Sequence, residues 1–197
     1  DMLLLIDQDG DGYDDETPIE GTYSAPFLTF TGVSINNGAE FTLGEGTLVW
    51  YSRGSGNTTD AIWSKTPSGS PQAISSFCSR TSIVIQAGHS ITNNALITAR
   101  NFTIENTASF NQGSTTITLH GTYLNSGSHN ITTGVVNFNG TSSQAITGTT
   151  ITEFHNVNCN NASGVSISGS GMTVKGVLQV NSGAFSTNNK LTLASYS

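Results

Sequence analysis

Short apolar strands return along this chain at intervals close to twenty residues, and that interval limits the fold more than any other feature. Thr118, Asn137, Val157 and Gln179 sit at the centres of four successive strands, separated by 19, 20 and 22 residues. Each interval holds several period-2 strands, such as Ser82-Ile83-Val84-Ile85, Thr116-Ile117-Thr118-Leu119 and Val165-Ser166-Ile167. Asn- and Gly-rich turns punctuate them at Gly88-His89, Asn93-Asn94, Asn125-Ser126-Gly127, Asn160-Asn161 and Asn188-Asn189. A unit this short and free of helix suits one coil of a β-solenoid. A lone coil cannot bury its inward face, so stability comes only from stacking. The pattern predicts an all-β, right-handed parallel β-solenoid (β-helix) behind a short acidic N-terminal loop. Val, Ile, Leu and Phe face inward, Thr and Ser outward, and Asn and Gly take corners that need left-handed backbone angles. A β-sandwich is the competing fold, since it also shows short strands between turns.

Composition agrees with strands. Ser (26), Thr (28), Asn (19) and Gly (22) make up 95 of 197 residues, while only 10% are charged. Hydrophobic residues at 35% with so little charge do not describe a disordered tail. Strong helix formers are scarce and β-branched and aromatic residues fill the apolar runs.

Three segments are expected. Residues 1–20 read as an acidic calcium-loop linker. Residues 21–80 read as early strands or a cap, with a long Ser/Gly/Pro-rich loop at 52–80 whose Trp63 packs on a coil end. Residues 81–197 read as about six coils, roughly 28 Å of rod at ~4.8 Å per coil. The run Met2-Leu3-Leu4-Leu5-Ile6 is too short for a signal core or a membrane span, so no membrane insertion is expected. With no initiator methionine, and strand pattern still present at Leu191-Thr192-Leu193, the chain reads as a piece of a longer, processed protein.

Charge is divided unevenly. Residues 1–60 hold 11 acids and one base, a balance of −10, and residues 61–197 hold two acids and five bases, a balance of +3. No basic cluster exists for a phosphate backbone, so nucleic acid is not an expected partner. Cys78 and Cys159 lie 81 residues apart. That is about four coils, or roughly 19 Å, too far for a disulfide, and they read as independent thiols.

The sharpest local motif is Asp7-Gln8-Asp9-Gly10-Asp11-Gly12-Tyr13-Asp14-Asp15-Glu16. Asp7, Asp9 and Asp11 take positions 1, 3 and 5 of an EF-hand-type calcium loop, with Gly12 at the sharp turn. The Tyr13 carbonyl and Asp15 complete the candidate ligand set. The bidentate Glu of position 12 is replaced by Pro18, so the loop is more similar to those of thrombospondin type-3 and dockerin-like repeats. Structural calcium is therefore expected, rigidifying the junction with a neighbouring domain.

Catalytic constellations are hard to assemble. After Asp60 the only carboxylates are Glu105 and Glu153, whereas paired-acid hydrolysis needs two that converge. Arg100 and Lys175, the bases a β-helix lyase could use, are scattered among them. His89, His120, His129 and His155 show no ligand spacing and read as turn or surface residues. A Ser/His/Asp triad has no aspartate within 61–197. Trp50 or Tyr51, Tyr123 and His155 are candidates for stacking on sugars. Trp50 and Tyr51 are adjacent on one strand, so one points in and one out. Thr-x-Thr triplets do not repeat in register as an ice-binding array would. Five Asn-x-Ser/Thr sequons, at Asn57, Asn101, Asn130, Asn139 and Asn161, follow from composition alone.

Several stretches carry a resemblance. Ala61-Ile62-Trp63-Ser64 and Ser82 to Thr92 are similar to the coil arrays of large adhesin-like surface proteins. So are Val136 to Thr141, Ser143 to Ile146, Phe154 to Val157, Ala162 to Val165 and Gly176 to Gly183. Those proteins are exported by Bacteroidota, commonly through the type IX route, and include gliding-motility adhesins. The likeness covers about residues 60–197. It implies a non-enzymatic structural or adhesive segment outside the cell or on its outer surface. Its partners would be neighbouring domains of the same polypeptide, surface glycans or other exported proteins. A glycan- or protein-binding module on a coil face is the alternative, and a polysaccharide-active β-helix enzyme ranks last.

Overall fold

The computed structural model describes residues 2–8, 19–24, 26–44, 48–74 and 76–194. It forms two compact units, residues 1–47 and 48–197. In the first, strand Leu3–Asp7 pairs antiparallel with Ile19–Glu20 on one side and Glu40–Gly44 on the other. Thr22–Ser24 and Phe27–Thr29 form a separate hairpin. The apolar run at the start is thus the middle strand of a small sheet, with Leu3, Leu4 and Ile6 buried. Val33-Ser34-Ile35, strand-like in sequence, forms no strand.

The second unit is an all-β solenoid of about six turns, and its strands stack parallel from coil to coil. The first face carries Leu48–Ser52, Thr81–Ile85, Phe102–Ile104, Tyr123–Asn125, Gln144–Thr147, Val165–Ile167 and Phe185–Ser186 in hydrogen-bonded order. The second begins as Gly56–Asn57, Ser90–Thr92, Ser109–Gly113 and Ser128–Ile131. Its place in the later coils is taken by a separate sheet of Thr152–Phe154, Met172–Val174 and Leu191–Leu193. The third carries Ile97–Ala99, Thr116–Leu119, Val135–Phe138, Asn156–Asn160 and Leu178–Ser182. Two opposed antiparallel layers, the signature of a sandwich, are not how these strands pair. Coil-forming strands start at Leu48, well ahead of Thr81.

Parity fixes which residues enter the core. Side chains alternate across a strand, and equal parity in every coil makes inward columns. On the first face these run Ile83, Phe102, Tyr123, Ile146, Ile167. On the third they run Ile97, Ile117, Val136, Val157, Leu178 and Ala99, Leu119, Phe138, Cys159, Val180. Nearly all of these are sealed from solvent until the last coil, where Val180 is exposed. Asn137 is level with Asn158, not with Val157, which pairs with Val136. The sequence interval from Asn137 to Val157 is therefore one residue short of the true period, because Val157 belongs to the inward column.

Outward columns are tied by side-chain amides. Asn158 Nδ2 donates to Asn137 Oδ1 at 2.9 Å, Asn160 to Asn139 at 2.8 Å, Asn181 to Asn160 at 2.6 Å and Asn130 to Asn111 at 2.8 Å. Every donor lies on the later coil. These seven asparagines therefore serve as ladder rungs, not as left-handed corners. Among the described residues only Thr107, Asn188 and Asn189 are non-glycine positions of positive φ. Gly148 shows the corner demand: its φ is 117°, and a Cβ there would lie 2.7 Å from the Asn125 nitrogen.

Residues 53–80 close the early end of the stack. Trp63–Ser64 runs antiparallel to Leu48–Ser52, against the parallel grain of the face. Trp63 is fully buried, donates from Nε1 to the Thr58 carbonyl at 2.9 Å and meets Phe77 edge-on at 5.2 Å. Ile62, Ile74 and Phe77 pack on the core beside it.

Truncating an inward column should cost far more than truncating an outward one. Phe138→Ala is expected to lose about 3–5 kcal/mol of unfolding free energy, and Thr98→Ala less than about 0.5 kcal/mol, both read from urea denaturation.

Candidate functional site

The calcium-loop residues fall mostly outside the described residues. Asp7 closes strand Leu3–Asp7 and is buried; Asp9, Asp11, Tyr13 and Asp15 lie outside them. Among the described residues no group of three or more His, Cys, Asp or Glu gathers into a metal cage. Cys78 and Cys159 form no disulfide. Burial pushes the Cys159 thiol up to about 11, as expected for an inward residue.

The aromatic candidates for sugar stacking belong largely to the core. Tyr123 is fully buried and lies parallel to Phe102, centroids 5.7 Å apart, because its strand register places it on the inward column. Trp50 is buried and Tyr51 half-buried, the alternation their adjacency demands. His129, read as a surface residue, is also inside: it pairs with Phe110 in register, and its Nδ1 lies 2.9 Å from the Tyr123 hydroxyl. Phe154 meets both rings nearly edge-on. Burial raises the Tyr123 phenol well above its ordinary value and lowers His129 to about 3. The pair is thus neutral at physiological pH.

Carboxylates are spent on structure. Glu105 accepts from the Ala87 amide at 2.9 Å. Glu153 meets Lys175 of the next coil at 2.9 Å, a half-exposed ion pair worth at most about 1 kcal/mol. Sequence reasoning missed one Ser–His contact: Ser52 Oγ lies 2.8 Å from His89 Nδ1. That hydroxyl is fully buried and takes the Gln86 amide at 2.9 Å, so it ties the first coil to the second and offers no approach to a substrate.

A polar groove lies at the corner between the third and first faces. Successive corners differ in length: two residues at 100–101, three at 120–122, five at 139–143 and four at 161–164. The short corners leave a notch behind the long one. It encloses about 450 Å³ between Ser79 at one end and Thr141–Ser143 at the other, with Arg100, Asn101, His120 and Thr122 along it. Arg100 and His120 each follow the paired Ala99 and Leu119, so they stack on neighbouring coils.

A buried amide network sets this shape. Gln144 Nε2 donates to the carbonyls of Leu119 at 3.0 Å and Gly121 at 2.8 Å, and its Oε1 accepts from Gly140 N at 2.8 Å. Asn161 Nδ2 donates to that same Oε1 at 2.9 Å and to the Ser142 carbonyl at 2.7 Å. Both amides are almost fully buried. On the floor, Asn101 donates to Ser82 Oγ at 3.0 Å and accepts from Thr122 N at 2.8 Å. A Cβ on Gly121 would collide with the Asn101 side chain and approach the Arg100 carbonyl at 2.8 Å. Satisfied buried networks of this kind fix one geometry.

Comparison with protein-family models, with curated proteins and with solved structures yields no match.

Two outcomes follow for these buried groups. Gln144→Leu strands the Gly140 amide and two carbonyls and should cost about 3 kcal/mol, while Ser143→Ala, exposed, should stay within about 0.5 kcal/mol; urea midpoints separate the two. His129 is held neutral when folded, so its contribution is complete above pH 6.5, its ordinary value, and is lost as pH falls toward its folded value of about 3. Stability should therefore fall by up to about 1.4 kcal/mol per pH unit on its account below pH 6.5. Denaturation of His129→Leu at pH 7, 6 and 5 should show a correspondingly flatter slope.

Proposed function

We propose that this chain is a non-enzymatic structural and adhesive segment of a large exported bacterial surface protein, its solenoid serving to extend and display a binding surface. The observation that carries this reading is the unbroken inward column, with outward amide ladders beside it, from coil to coil. Such a stack sets distance and presents its corners in a fixed array. The coil resemblance to gliding adhesins of Bacteroidota supports a location outside the cell, and the scarcity of charge supports a passive surface. The Asp7–Asp15 loop is assigned to structural calcium on its ligand spacing.

The adhesive reading is tested by displaying the full chain on a bacterial surface and measuring retention under flow on agarose, glass and polysaccharide-coated slides. Cells lacking residues 81–197 in frame are expected to detach faster; equal retention would overturn it. Release of new reducing ends from any of the polysaccharides would overturn the non-enzymatic part. Calcium should raise the thermal midpoint of the wild-type chain by several degrees, reversed by chelator, and Asp9→Ala with Asp11→Ala should abolish that rise.

A further inference from the structure

Solvent-facing corners of a solenoid need only short, satisfied turns, yet here two nearly buried amides, Gln144 and Asn161, hold one long corner as a wall above two short ones. The resulting groove has a chemical character of its own. Hydroxyls of Ser79, Thr122, Thr141 and Ser143 line it, together with Arg100 and His120, and no carboxylate does. Hydroxyls and amides offer donors and acceptors at coil spacing, and the guanidinium adds one fixed positive charge. No Phe, Tyr or Trp lines the notch, so the hydroxyls and the guanidinium are the main surface it offers a ligand.

We propose that this groove binds an acidic oligosaccharide, a uronate-bearing chain, with a sugar carboxylate on Arg100 and ring hydroxyls along the Ser/Thr walls. The inference deepens the adhesive reading above by naming its ligand class. A polyol matches a lining of alternating donors and acceptors, and a planar carboxylate matches the guanidinium fork. Arg100 already engages a neighbour, and its five donors leave capacity for a ligand. The lining spans the corners of successive coils, ~4.8 Å apart, so the site favours an extended chain over a single small anion. One arginine without a lysine cluster fits a monoanionic sugar better than a polyphosphate.

The test is calorimetric titration of the full chain with oligogalacturonate at physiological ionic strength, beside its methyl ester and free galacturonate. Saturable binding of the oligomer is expected, weaker by about tenfold or more for the ester and for Arg100→Gln, as expected for a lost charge-assisted bond. Thr141→Trp, an exposed position whose bulk fills the notch, should abolish binding while leaving the thermal midpoint unchanged. Lys190→Gln, at a different corner groove, should bind as wild type. No saturation at millimolar oligomer overturns the proposal, as does equal affinity for the ester. Equal losses in Arg100→Gln and Lys190→Gln would mark general attraction of a polyanion and overturn it too. Tighter binding of the free monosaccharide than of the oligomer would overturn the extended site. Failure here leaves retention under flow as an independent readout, so the adhesive segment and its ligand fall separately.

Discussion

Backbone hydrogen bonds between coils hold each strand level with its neighbour, and every other property of the solenoid is inherited from that register. Because side chains alternate strictly, a slip of one residue would turn a whole strand inside out. Val157 illustrates the stakes: level with Val136 it is sealed in the core, and level with Asn137 it would face water. Apolar columns on several faces impose the same parity at once, so they reinforce one another. The amide ladders outside add a second, independent check, since Asn137 and Asn158 meet only when the inward valines also meet.

Within that frame the molecule places its polar residues in two distinct settings. Exposed asparagines stitch coils together along the surface, each bond contributing modestly because water competes for the same groups. Gln144 and Asn161 operate under nearly complete burial, where an unmet partner is costly and a met one defines a unique shape. Corner lengths of two, three, five and four residues would by themselves permit several loop conformations. The buried amides select one, and the groove beside Arg100 is its consequence.

Much of the architecture was legible because strands advertise themselves by period-2 alternation. Thr116–Leu119 and Val165–Ile167 read as strands from sequence and are strands in the structure. The solenoid could be inferred because no single twenty-residue unit has enough apolar surface to fold alone. Less was legible where polar residues change roles without changing type. Asn161 in a buried network and Asn160 on an exposed ladder are neighbours in sequence and indistinguishable by composition. Tyr123 and His129 carry polar atoms and read as surface candidates, yet their strand registers place both inside, where the Tyr123 hydroxyl meets His129 Nδ1 while the buried Nε2 finds no partner among the described residues. The groove was invisible for a related reason: it arises from differences between corners, and no local motif records a difference.

The side-chain ladders also give the stack an arrow. Each rung passes its hydrogen toward the preceding turn, so the amide dipoles of a column add instead of cancelling. A cylinder assembled this way has chemically unlike poles, and the early one is sealed by a tryptophan lid. Lengthening by duplication must therefore copy a whole circuit in the same sense. A reversed insert would set carbonyl against carbonyl at one junction of each amide ladder and amino group against amino group at the other.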